Sequence, residues 1–127
     1  FFAEHNLEEA IREIIQYHFI SWPDHTVPTY SCSLISFIKR IRDSRHYKKT
    51  QPIVVHCSAG VGRTGTFILI DSMLEMAKNE KQIDILSHLC TLRVQRINLI
   101  EKLGQYVFVH NALVEALDHD LATNKHD

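Results

Sequence analysis

Long apolar runs are missing from this 127-residue chain. No segment approaches the roughly 20 consecutive apolar residues that a membrane-crossing helix needs, and the first residues lack the pattern of a secretory leader. Phe1 stands where an initiator methionine would, so the natural start of the polypeptide is expected upstream and the chain reads as a fragment. Neither sign of charge is in excess: 14 basic and 15 acidic residues leave a formal net charge of −1. The one basic cluster, Lys39, Arg40, Arg42, Arg45, Lys48 and Lys49, could meet an acidic substrate or lipid but reads first as a solvated helix end, and no nucleic-acid partner is expected. The nine histidines form no compact ligand pattern with cysteines or carboxylates, so no metal site is expected either. No repeat, low-complexity tract or Pro/Gly/Ser-rich linker divides the sequence. With 45% hydrophobic residues it reads as one globular unit large enough to bury a core.

What the chain does have is concentrated in residues 52–67, Pro-Ile-Val-Val-His-Cys-Ser-Ala-Gly-Val-Gly-Arg-Thr-Gly-Thr-Phe. Ile53, Val54 and Val55 read as a short buried parallel strand that delivers Cys57 to its carboxyl end. A helix is expected over 64–78, beginning on Thr64. Between them Gly60, Gly62 and Gly65 let the backbone curl its N–H groups towards one point, where a phosphate dianion would sit at the positive end of the helix. The same field favours a thiolate at Cys57, because helix N-termini and nearby arginine lower a thiol from about 8.5 to roughly 3.5–7.5. Arg63 presents a planar fork able to grip two phosphoryl oxygens.

This stretch resembles the signature of the protein tyrosine phosphatases, in which His, Cys, five residues, Arg and Ser/Thr surround the phosphate. The resemblance implies Cys57 as nucleophile, Ser58, Ala59, Gly60, Val61, Gly62 and Arg63 as the phosphate cradle, Thr64 as an aid to thiolate departure, and His56 as a shaper of the loop. Residues 21–28, Ser-Trp-Pro-Asp-His-Thr-Val-Pro, resemble the family's mobile acid loop. Asp24 would be its general acid and Trp22 a hinge packed near Arg63. Taken alone, that segment reads as a Trp-Pro turn capped by Asp24; its place upstream of Cys57 favours the acid loop. The order also opposes low-molecular-weight phosphatases and arsenate reductases, whose Cys-x5-Arg loop comes near the chain start. Residues 93–110 resemble the glutamine loop and the helix after it, with Gln105 as the second of two water-positioning glutamines. The first falls on Glu101. A carboxylate there would raise the cost of binding a dianion, and could either misplace the attacking water or accept its proton as an auxiliary base; the inhibitory effect is expected, so that Glu101→Gln raises turnover in the complete domain. Thr26, where the acid loop commonly has glycine, is expected to slow closure or change its range by losing φ freedom.

The resemblance runs from about Ile14 to Leu117 and implies an α/β fold: a phosphatase-type central sheet flanked by helices, with residues 1–127 forming only the C-terminal portion of a catalytic domain. Gln16 to Trp22 alternates as a strand would, while Glu8 to Ile15 fits helix or strand. Helices are expected over 31–46, Phe67–Ala77, Ile83–Leu92 and Tyr106–Leu117. Cys32 and Cys90 read as inert core thiols. An odd total of three cysteines, one needed as thiolate, suits a reducing compartment.

The function implied is hydrolysis of phosphotyrosine in proteins through a phosphocysteine intermediate, with no metal or organic cofactor. Phosphotyrosyl proteins are the implied partners. A cytoplasmic location is implied, or the intracellular part of a receptor, with membrane association only in the latter case. The competing reading is an impaired or truncated phosphatase that binds phosphotyrosyl partners without useful turnover. A dual-specificity phosphatase is a third, less well matched to the Trp-Pro-Asp and glutamine-loop segments.

Overall fold

The computed structural model describes residues 13–123, with side chains described as far as residue 119. Four helices follow one another: α1 (Ser31–Arg42), α2 (Gly62–Glu80), α3 (Ile85–Gln95) and α4 (Leu103–Thr123). Helix α2 lies at the centre, packed against α3 and α4, while α1 covers α4 from another side.

Each helix forms where an apolar stripe finds a neighbour. On α1 the buried residues are Leu34, Ile35, Ile38 and Ile41, and the basic last turn of Lys39, Arg40 and Arg42 complements the negative helix end. The helix stops at Arg42, four residues before its predicted end, where Ser44 N–H turns to the Ile41 carbonyl and Tyr47 N–H to Ser44. The first half of α2 is buried on nearly every side, through Gly62, Thr64, Gly65, Thr66, Phe67, Leu69, Ile70 and Met73. Asp84 caps α3 by accepting the Ser87 N–H at 3.0 Å, and the chain leaves α2 through Lys81 in the left-handed region. On α4, Gln105, Phe108, Val109, Ala112, Leu113 and Ala116 form the buried stripe at helical spacing.

The expected α/β fold with a central sheet is overturned: among the described residues there is no strand. The segments read as strands, Gln16–Trp22 and Ile53–Val55, run as irregular chain, with Ile20, Ile53 and Val54 exposed. Alternation or a β-branched run shows only that a segment would suit a pleated surface. A strand exists when a neighbour supplies the hydrogen-bond ladder and a face to cover, and neither segment finds that neighbour among the described residues. Most of the ambiguous stretch Glu8–Ile15 lies outside the described residues.

Cys32 and Cys90, expected in the core, are both exposed. Cys32 points away from the stripe of Leu34, Ile38 and Ile41, and on α3 the buried residue is Leu89, one position before Cys90. The basic cluster is more engaged than a solvated helix end. Arg42 donates through Nε to Asp71 Oδ1 and through Nη1 to Glu75 Oε2, both at 2.6 Å, and Lys49 Nζ donates to Glu75 Oε1. The Lys49 bond, then those from Arg42 and Asn79, hold the Glu75 carboxyl at about 2 against the opposing effect of burial, so it stays ionised and staples α1 to α2.

A chain of rings carries the core towards the segment before α1. Phe37 meets Phe67 at 6.4 Å and Phe19 at 5.1 Å; Phe19 meets the buried Trp22 at 6.3 Å, and Trp22 meets Phe108 at 6.2 Å. The loop that holds Asp24 is thereby rooted in the same core as α2 and α4.

Candidate active site

The turn from Cys57 into α2 is built by close approaches. Gly60 has φ 70°, a conformation that a side chain would strain. A Cβ on Gly65 would stand 2.6 Å from the backbone nitrogen of Ile100, whose N–H instead reaches the Val61 carbonyl at 3.0 Å. The helix starts at Gly62, two residues before its predicted start, and Val61 caps it with no side-chain bond, so the N–H groups of the first turn face the loop uncapped.

Half-buried Cys57 sits inside this turn, its Sγ accepting the Gly60 N–H at 3.2 Å. Burial pushes the thiol up. The Thr64 hydroxyl and the backbone N–H groups of Thr64, Gly60 and Val61 outweigh it and hold the thiol down at about 7. The buried Thr64 hydroxyl makes no hydrogen bond of ordinary geometry among the described residues, yet it stands close enough to the Cys57 sulfur to be the largest of the influences that lower the thiol.

Arg63 links this turn to the loop before α1. Its Nη1 donates to the Trp22 carbonyl at 2.9 Å, and its Nη2 to Ser58 Oγ at 3.2 Å and to Asp24 Oδ1. Ser58 Oγ also donates to Asp24 Oδ1, at 2.7 Å. One carboxylate oxygen therefore occupies donors of the kind that would hold a phosphate oxygen. Trp22, expected near Arg63, touches it through its backbone, while its Nε1 donates to the Thr26 carbonyl at 2.8 Å. Thr26 closes the turn by donating from Oγ1 to the Pro23 carbonyl at 2.6 Å. The positive φ in this loop, 61°, belongs to His25 and not to Thr26. The loss of φ freedom expected at Thr26 thus has no left-handed conformation to act upon.

Gln105 is buried, and both ends of its amide are engaged. Oε1 accepts the N–H groups of Glu101 and Lys102 at 3.1 and 3.2 Å, fastening the start of α4, and Nε2 donates to the Thr26 carbonyl at 3.4 Å. Glu101 turns its carboxylate to His25, with Oε2 3.1 Å from Nδ1. His56 is exposed and makes no side-chain hydrogen bond among the described residues. Ala59 offers its carbonyl to Arg96 Nη2 at 3.3 Å.

Cys57, Arg63, Asp24, Ser58 and Thr64 thus converge, and Gln105 and Glu101 reach the site through the loop that carries Asp24. Sequence reasoning passed over His25, Arg96 and Arg93, which donates to the Leu99 and Ile100 carbonyls at 2.8 and 2.9 Å and so holds the segment beneath Val61. Arg93 and Arg96 both lie beyond the predicted end of the third helix at Leu92, and Arg96 is the extended C-cap of α3, so helical spacing does not mark them. Nothing in the sequence pairs His25 with a residue 76 positions away. Among the described residues no group of three His, Cys, Asp or Glu side chains is placed to hold a metal ion, and no helix is long and apolar enough to cross a membrane.

The family model for protein-tyrosine phosphatase matches residues 2–115. The chain is 49% identical over 105 residues to receptor-type tyrosine-protein phosphatase F of Bos taurus, covering 83% of this chain and 6% of that protein. The same phosphatase of Danio rerio is 48% identical over 83% of the chain and 5% of its own length. Receptor-type tyrosine-protein phosphatase S of Gallus gallus is 48% identical over 84% and 7%. The chain therefore spans less than a tenth of the length of the curated relatives it matches. Because the matched span takes in the Asp24 loop, the Cys57 turn and the Glu101–Gln105 segment together, the chain belongs to the protein-tyrosine phosphatase family.

Proposed function

We propose that this chain hydrolyses phosphotyrosine in proteins, with Cys57 as nucleophile and Asp24 as general acid. The observation that carries the reading is that Asp24 lies on Arg63 and Ser58, over the turn whose donors hold the Cys57 thiol at about 7.

An arriving phosphate dianion displaces the Asp24 carboxylate from Arg63 and takes up the guanidinium fork and the N–H groups of the turn. The freed carboxyl, protonated, turns to the leaving group. The Cys57 thiolate attacks phosphorus, a sulfur–phosphorus bond forms, and the bond to the phenolic oxygen breaks as Asp24 gives that oxygen its proton. Water then attacks phosphorus and yields a proton to the Asp24 carboxylate. The sulfur–phosphorus bond breaks, and the thiolate leaves with the Thr64 hydroxyl directed at it. For Gln105 to position that water, its Nε2 must leave the Thr26 carbonyl, the longest of its three bonds.

The test is hydrolysis of an aryl phosphate by the chain and two variants. Cys57→Ser is expected to abolish hydrolysis while vanadate still binds, since the loop donors persist. Asp24→Ala should lower turnover by about 10²–10⁴-fold, the weight of one positioned acid. Hydrolysis surviving Cys57→Ser overturns the mechanism. A native chain that binds a phosphotyrosyl peptide without cleaving it would favour a binding role instead.

A further inference from the structure

One contact at the site that the proposed reaction does not use is the one between His25 and Glu101. His25 follows Asp24 directly, and its positive φ turns its ring out of the acid loop towards the chain that precedes α4. There His25 Nδ1 lies 3.1 Å from Glu101 Oε2. The neighbouring residue is held from the same side, because Gln105 Nε2 reaches the Thr26 carbonyl, the group that also accepts the Trp22 indole N–H. The loop is therefore joined to residues 101–105 at two consecutive positions. The Gln105 link ends on a backbone carbonyl, which any residue at 26 would provide. The His25–Glu101 link joins two side chains and depends on both identities. A carboxylate suits it, since it can only accept and strengthens a bond from a ring N–H beyond what a neutral amide gives. The bond also helps to hold His25 in a backbone region that is unfavourable for a residue with a side chain.

We propose that Glu101 is a positioning residue: acting through His25, it holds the loop bearing Asp24 closed over the Cys57–Arg63 turn. The proposal rests on Asp24 as general acid for its kinetic part, and on geometry alone for the rest. His25 and Glu101 are 65% and 36% exposed in their side chains, so the pair is of the surface kind and shifts the loop equilibrium by about two- to five-fold.

Trp22, the single tryptophan of the chain, sits at the root of the loop and reports its position by fluorescence without any substrate. The experiment compares native chain, His25→Ala, Glu101→Ala and the double variant, by Trp22 emission and by kcat and KM for an aryl phosphate. Each single variant is expected to shift Trp22 emission and to lower kcat by about two- to five-fold, and the double variant should change neither further, because one contact is lost in all three. In an Asp24→Ala background, removal of Glu101 should leave the residual kcat as it is, since the contact acts through Asp24 alone. Unchanged Trp22 emission in both single variants overturns the proposal. So do strictly additive effects, or a kcat loss from Glu101→Ala that persists in the Asp24→Ala background. Should the chain prove to have no turnover, the emission cycle still decides the contact, so the two readings fail separately.

Discussion

Asp24 and Arg63 are ion-paired across the mouth of the Cys57 turn, with Ser58 donating to the same carboxylate oxygen. An internal anion thus sits on the donors that an incoming phosphate would need. Asp24 is therefore at once the proton donor of the proposed reaction and a competitor for the phosphate site.

Removing that competitor should strengthen binding of a plain oxyanion. Asp24→Ala is expected to tighten inorganic phosphate by about two- to five-fold, the weight of a half-exposed ion pair, in a calorimetric titration. Unchanged binding would show that the Asp24 carboxylate leaves the arginine fork free in solution.

Cys57 gives a pH prediction with a definite sign. Its thiol is held at about 7, below an ordinary thiol, so the thiolate prevails above that value and is lost as the pH falls through it. Alkylation by iodoacetamide should follow a titration curve centred near pH 7. Thr64→Val removes the hydroxyl, the largest of the influences that lower the thiol, and should move the midpoint upward. A midpoint unmoved by that change would assign the lowering to the backbone N–H groups alone.

Gly65→Ala tests the packing beneath the turn. The added methyl would stand 2.6 Å from the Ile100 nitrogen and 3.2 Å from Leu99 atoms, so backbone has to move and the Ile100 bond to Val61 is strained. Destabilisation of about 1–3 kcal/mol is expected from urea unfolding, as for other overpacked sites. A loss well below that would mean the 98–101 segment yields easily.

Glu101→Gln discriminates two roles of opposite sign. A carboxylate that merely repels phosphate predicts faster turnover in the variant, as the sequence resemblance leads one to expect. A carboxylate committed to His25 predicts the order native, then Gln, then Ala, because glutamine keeps an acceptor oxygen but not the charge. Steady-state rates of the three proteins settle the order.

The arrangement of the candidate site was legible where it is local: Cys57, the glycines and Arg63 lie within a few residues of one another, and one turn brings them together. Helices α2 and α4 were legible as apolar periodicity, with ends misplaced by a few residues because caps such as Val61 carry no side-chain signal. The sheet was misread, since the β-branched run Ile53–Val55 says nothing of a partner strand. At position 26 the replacement of a glycine does not reveal which neighbour takes the positive φ; here His25 does. Cys32 and Cys90 look apolar in composition yet fall off the buried stripes. The link between His25 and Glu101 is set by how α4 docks against the acid loop, a tertiary relation with no trace in spacing.

The anchoring of α1 governs how far Asp24 can travel. Arg42 and Lys49 fasten the end of α1 and the chain after it to α2, and Ser31 at its first residue donates to Glu115 on α4. On the other side Phe19 is wedged against Phe37. Residues 20–30 therefore behave as a short tether clamped at both ends, like a drawbridge whose two posts do not shift. Were the loop to open, the change would fall on backbone rotations within that span, and tether length would limit the sweep of the Asp24 carboxyl.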